Sequence, residues 1–231
     1  MVGQNAQTTA ITVDNTHQVS ARSLLPPSAR ACFVYAHGAG AGMGHSFMEA
    51  TASGMAEAGI ATFRFQFPYM ELRTRRPDPP ALCHATVRAA VAEAARLFPG
   101  LPLIAGGRSF GGRMTSQAQA LSPLAGVLGL AFLGFPLHPA GRPSDERAKH
   151  LFEVRVPMLF LQGDRDELAE MDLLQALIKR LGTRAILKLI RDANHSFHVP
   201  ARTGRTDAQV IAELVRDFVS FADMCADSRQ A

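Results

Sequence analysis

The chain has 231 residues, 47% of them hydrophobic, with 24 basic against 20 acidic residues and a formal net charge of +4. That length and apolar content suit a full α/β core. The basic excess is small and scattered, which argues against the concentrated positive surface of a nucleic-acid-binding protein.

In chain order, residues 1–28 read as one or two edge strands or an extension. They lack the basic-then-apolar pattern of a secretory signal. Residues 32–36, CFVYA, read as a strand, followed by the loop HGAGAGMG and a helix over 46–58. Residues 60–65, IATFRF, form a second strand. A proline- and arginine-rich loop, FPYMELRTRRPDPP, then leads to an alanine-rich helix over 81–97. Residues 101–105, LPLIA, form a third strand that runs into the glycine-dense stretch AGGRSFGGR at 105–113, with a helix over 110–121. A fourth strand, 126–133, lies inside the longest uncharged run, 121–137. That run is short for a membrane span and holds two prolines, so a buried central strand explains it. A fifth strand (156–161), a helix (167–181) and a sixth strand (184–190) follow. The last element is an amphipathic helix over 206–224, with Val210, Leu214, Phe218 and Phe221 on one stripe.

Near-continuously apolar strands alternating with helices predict a mostly parallel central sheet covered on both faces. We read residues 1–231 as one such domain. Functional residues are expected just beyond the carboxyl ends of its strands. Cys32, Cys83 and Cys225 are too few and too far apart for a disulfide framework or a zinc motif, and read as buried thiols in a reducing compartment. A soluble, cytoplasmic protein with no membrane or nucleic-acid partner is expected.

The glycines of AGGRSFGGR admit two readings. A phosphate loop needs lysine and then serine or threonine after its last glycine, and here Arg113 and Met114 follow Gly112. The loop from Gly38 to Gly44 fails the dinucleotide spacing in every register, so no nucleotide cofactor is implied. The stretch Gly107-Arg108-Ser109-Phe110-Gly111 instead matches G-x-S-x-G between a strand and a helix. In such a turn the serine is strained and exposed, and glycine two residues to either side avoids a clash.

An elbow serine needs a base and an orienting acid. QGDRDE after the fifth strand offers Asp164, Asp166 and Glu167. DANHSFH after the sixth offers His195 and His198. The backbone N–H groups of Phe110 and of Ala39, in the HGAG loop at 37–40, are placed to form an oxyanion hole. Met43, His45 and Phe47 either line the cavity or pack beneath the next helix, and His138 is given no role.

Together HGAG, GGRSFGG, QGDRD (162–166) and NHSF (194–197) resemble the α/β-hydrolase superfamily. Within it the chain is most similar to a compact, dienelactone-hydrolase-like group of serine hydrolases. That group includes a testis-expressed protein and a histone-acetyltransferase complex subunit. FPYMELRTRRPDPP and GFPLHPAGRP strengthen the likeness, which spans roughly residues 30–225. The resemblance implies a minimal fold without a large cap, and a triad of Ser109, Asp166 and His195. It implies hydrolysis of a small-molecule ester-type substrate (carboxylic ester, thioester or lactone) through an acyl-enzyme, with no cofactor and no metal. Dienelactone hydrolases use cysteine where this chain has Ser109, so their lactone substrate is not carried over. A catalytically silent binding or scaffold protein on the same fold is the alternative. Arg73, Arg75, Arg76 and Arg108 lie near the expected active-site edge as candidate contacts for an anionic substrate, or as a solvated basic loop.

Overall fold

In the computed structural model, which describes residues 6–228, the short apolar runs become strands and the longer periodic stretches become helices. The strands are β1 (Ala6–Thr12), β2 (Gln18–Leu24), β3 (Ala31–Ala36), β4 (Ile60–Phe65), β5 (Leu103–Arg108), β6 (Val127–Leu133), β7 (Met158–Gly163) and β8 (Ala185–Ile190). The helices are α1 (Ser46–Glu57), α2 (Pro68–Glu71), α3 (Pro80–Leu97), α4 (Phe110–Leu121), α5 (Met171–Leu181) and α6 (Asp207–Asp227). A 3₁₀ segment, Glu146–Glu153, lies between β6 and β7.

The strands form one sheet in the order β1-β2-β4-β3-β5-β6-β7-β8. The β1–β2 and β2–β4 pairs are antiparallel, and every later pair is parallel. The carboxyl ends of β3 through β8 therefore share one edge. β5 sits near the middle, between β3 and β6.

Successive strand residues point to opposite faces, and the core divides accordingly. Cys32, Val34, Ala36, Phe63 and Phe160 pack on the face covered by α3, α4 and α5. Phe33, Tyr35, Ile104, Leu159 and Leu161 pack on the other, against α1 and α6. Phe33 meets Phe218 of α6 with ring centroids 4.6 Å apart. The stripe read from sequence, Val210, Leu214, Phe218 and Phe221, is buried there. A capping box at Thr206 and Gln209 starts α6.

Several boundaries differ from the sequence reading. β5 begins at Leu103 and continues through Gly106 and Gly107 to Arg108. Glycine alone disfavours a strand, but Gly106 is paired on both sides, with Tyr35 and Ala131. β7 starts after Pro157, which has no N–H to give a ladder. α5 starts at Met171, not 167, because residues 166–169 form a turn closed by the Ala169 N–H on the Asp166 carbonyl. The short helix α2 and the 3₁₀ segment had no counterpart in the sequence reading.

Candidate active site

Ser109 occupies the tight corner between β5 and α4, with φ 49° and ψ −114°. Left-handed backbone costs a residue with a side chain about 1–3 kcal/mol and persists only where the surroundings enforce it. The surroundings here are backbone. A Cβ at Gly107 would lie 2.5 Å from the Ala36 carbonyl oxygen, and one at Gly111 would lie 2.5 Å from that of His37. The glycines let β5 and α4 close directly against the end of β3. As the first residue of α4, Phe110 has an N–H with no intrahelical acceptor.

The loop after β8 brings His195 over this corner. Its Nε2 lies 2.9 Å from Ser109 Oγ, and its Nδ1 lies 2.7 Å from Asp166 Oδ2. Asp166 follows β7, and its side chain is fully buried. It also accepts the side-chain N–H of Gln162 at Oδ2 and the backbone N–H of Leu168 at Oδ1. The Gln162 carbonyl oxygen in turn accepts the Phe135 N–H at 2.8 Å. The loops carrying the acid and the histidine are pressed together at Gly163, where a Cβ would sit 2.2 Å from the Ala193 carbonyl oxygen. Asn194 accepts the N–H groups of Ser196 and His198 and shapes the turn that presents His195.

The alternatives in sequence lie elsewhere. His198 pairs with Asp207 at 3.0 Å, and Asp164 accepts the Asp192 N–H. His138 is buried and structural, accepting the Glu170 N–H at Nε2. Cys32, Cys83 and Cys225 are free and buried; burial pushes the Cys83 thiol up to about 12.

Ala39 lines a cavity of about 280 Å³ together with Gly38, Gly40, His45, Ser109 and His195. The segment is anchored from below. The Tyr69 O–H donates to the Ala39 carbonyl at 2.9 Å. His37 accepts the Phe67 N–H at Nε2 (3.0 Å), so its proton is on Nδ1, which donates to the Gly38 carbonyl (2.7 Å). Burial lowers the His37 pKa to about 4, which keeps this ring neutral. Farther along, the Met43 N–H donates to Gln66, and the buried Arg64 donates to the Met43 carbonyl and pairs with Glu49. The sequence reading missed Gln162, Tyr69 and His37 as supports, because each has a partner brought near only by the fold: the Phe135 N–H for Gln162, the Ala39 carbonyl for Tyr69 and the Phe67 N–H for His37.

A model of the alpha/beta hydrolase domain matches residues 29–223. The chain belongs to that family. Among solved structures, this hydrolase-fold chain is similar to a dienelactone hydrolase from Anabaena variabilis, at 21% identity and a TM-score of 0.75, covering 93% of this chain and 96% of that one. An alpha-beta serine hydrolase homologue from Coxiella burnetii gives 19% identity and a TM-score of 0.74, covering 94% and 99%. An α/β serine hydrolase without a lid from Xanthomonas campestris gives 19% and 0.69, covering 94% and 97%. At these identities the likeness is one of fold, and it agrees with the absence of a large cap between β6 and β7 among the described residues. Family and fold support hydrolytic activity. Among the described residues no helix is long and apolar enough to cross a membrane.

Proposed function

We propose that this protein is a serine hydrolase that cleaves an ester-type bond of a small molecule through an acyl-enzyme. The observation that carries the reading is the continuous hydrogen-bonded chain from Ser109 through His195 to the buried Asp166, beside an open cavity. In this mechanism Ser109 Oγ attacks the acyl carbon while His195 Nε2 takes its proton. Asp166 holds the Nδ1–H and stabilises the imidazolium. The N–H groups of Ala39 and Phe110 receive the negative charge on the former carbonyl oxygen, each donor being worth roughly 3 kcal/mol in the transition state. Collapse expels the alcohol or thiol, which takes the proton from His195. Water then enters, gives a proton to His195, and releases the acid from Ser109.

The cavity volume supports a small substrate, and the three buried free thiols support a reducing, cytoplasmic location. A fluorophosphonate probe should label the wild type at Ser109 and leave Ser109→Ala unlabelled, with hydrolysis of 4-nitrophenyl acetate lost in parallel. Equal labelling of the two proteins would refute the assignment.

A further inference from the structure

Arg108, the residue before the candidate nucleophile, lines two cavities. One is the chamber holding Ser109 and His195. The other, about 420 Å³, is bounded by Ser46, Phe47, Ser196, Phe197 and His198. His45 also lines both, so the chambers adjoin at this pair of residues. Among the described residues, no lysine, aspartate, glutamate or second arginine lines the inner chamber beside Arg108.

Its surroundings supply no counter-ion. The guanidinium lies over the Phe47 ring at 4.7 Å, and Phe47 in turn stacks on Phe197. Arg108 makes no hydrogen bond or ion pair with any described residue, although it is half-buried. Asp166, the buried carboxylate of the site, is committed to His195, Gln162 and Leu168. Asp207, which lines the outer chamber, is paired with His198. Of the other inward-lying arginines, Arg64 has Glu49, Arg205 has Glu213 and Arg184 donates to main-chain carbonyls; Arg113 also has no ion pair among the described residues and lies over Phe110, but it lines neither chamber. Stacking on an aromatic face is worth about 0.5–2 kcal/mol and leaves the edge of the guanidinium, with its N–H fork, unspent. That fork fits the two oxygens of a carboxylate.

We infer that the site takes an anionic substrate, an ester whose carboxylate is held by Arg108 at the junction of the two chambers. The inference rests on the hydrolase reading for the ester bond, while anion binding by Arg108 stands on its own geometry. Because Arg108 is adjacent to Ser109, the carboxylate and the reacting carbonyl are separated by a short spacer. The carboxylate belongs either to the acyl part or to the leaving group.

The experiment has two kinetic arms and one binding arm. For the leaving group, 4-acetoxybenzoate is compared with its methyl ester. For the acyl part, the 4-nitrophenyl monoester of adipic acid is compared with 4-nitrophenyl hexanoate. For binding, monomethyl adipate and dimethyl adipate are titrated calorimetrically into Ser109→Ala. The wild type should prefer the anionic member at least tenfold in kcat/KM in one arm. Arg108→Gln should bring that ratio close to one, and Arg108→Lys should restore part of it. Monomethyl adipate should bind Ser109→Ala at least tenfold more tightly than the diester, and adding Arg108→Gln should erase the difference. Hydrolysis without any anionic preference, or a preference that survives Arg108→Gln, overturns this inference and leaves the hydrolase reading standing. Absence of hydrolysis with Arg108-dependent binding intact does the reverse, and absence of both overturns both.

Discussion

At the residue scale, Asp166 is held by three donors and Gln162 by two neighbours, so the orientation of His195 is set well away from Ser109. Asp166→Asn keeps the shape but offers an amide N–H toward Nδ1, which favours the wrong imidazole tautomer. On the triad reading kcat should fall about 10⁴-fold with little change in KM. A loss under tenfold in steady-state assays would remove Asp166 from its role. Gln162→Leu tests the support behind it. Asp166 loses its amide donor, and the buried Phe135 N–H loses its acceptor. An unsatisfied buried group costs about 1–3 kcal/mol, so the urea midpoint should drop by a corresponding amount, and kcat should fall more than KM rises. A purely structural role for Gln162 would lower the midpoint and leave both kinetic constants at wild-type values. The Gln162 side chain was present in the QGDRD motif, but sequence gave no reason to single it out. Its two partners come from β6's exit and from the turn after β7, and only the assembled sheet makes them neighbours.

At the element scale, two pairs of backbone segments meet without side chains between them: the end of β3 against the β5–α4 corner, and the end of β7 against the loop after β8. Glycines at 107, 111 and 163 mark the contacts. Gly111→Ala and Gly163→Ala each push a methyl into main-chain carbonyls that cannot rotate away, and should cost at least 1–3 kcal/mol. Gly40→Ala is the control, since a Cβ there meets nothing within 4 Å and φ is not left-handed. By differential scanning fluorimetry the first two variants should melt well below the wild type, and the third at or slightly above it. Equal melting of all three would mean that the closure is looser than the geometry requires. The glycine pattern around Ser109 was legible in sequence because a local turn demands it. The need for Gly163 was not, since the Ala193 carbonyl that excludes a Cβ arrives from thirty residues downstream. Element order was legible from apolar runs, whereas β5's extension through two glycines depended on ladder partners on both sides.

At the scale of the whole molecule, the fold buries histidines in neutral form, and this makes its stability depend on pH. His37 is buried at the exit of β3, where it begins the 37–40 loop, and has its pKa lowered to about 4 by that burial. His150, in the 3₁₀ segment, is also lowered to about 4, first by burial and then by the charges of Arg113 and His84; its Nε2 lies 2.7 Å from Ser116 Oγ. An unfolded histidine titrates near 6.5. Between about pH 6.5 and 4 the unfolded chain therefore binds more protons than the folded one, and stability rises with pH across that window. The contribution is complete above pH 6.5 and is lost as pH falls toward 4. Each shift is worth about 3 kcal/mol. Carboxylates with lowered pKa, such as Glu49 beside Arg64 and Arg22, lose their stabilisation only as pH falls below the ordinary carboxylate range, so the upper part of the window belongs to the histidines. Urea unfolding should show a midpoint that declines steadily from pH 6.5 to pH 4.5. His150→Gln, which retains a partner for Ser116 and cannot titrate, should remove part of that slope, the rest belonging to His37 and to His84, whose pKa burial also lowers. A midpoint that stays flat over the window would show that both rings titrate normally, and that the Phe67 N–H does not hold His37 in its neutral tautomer.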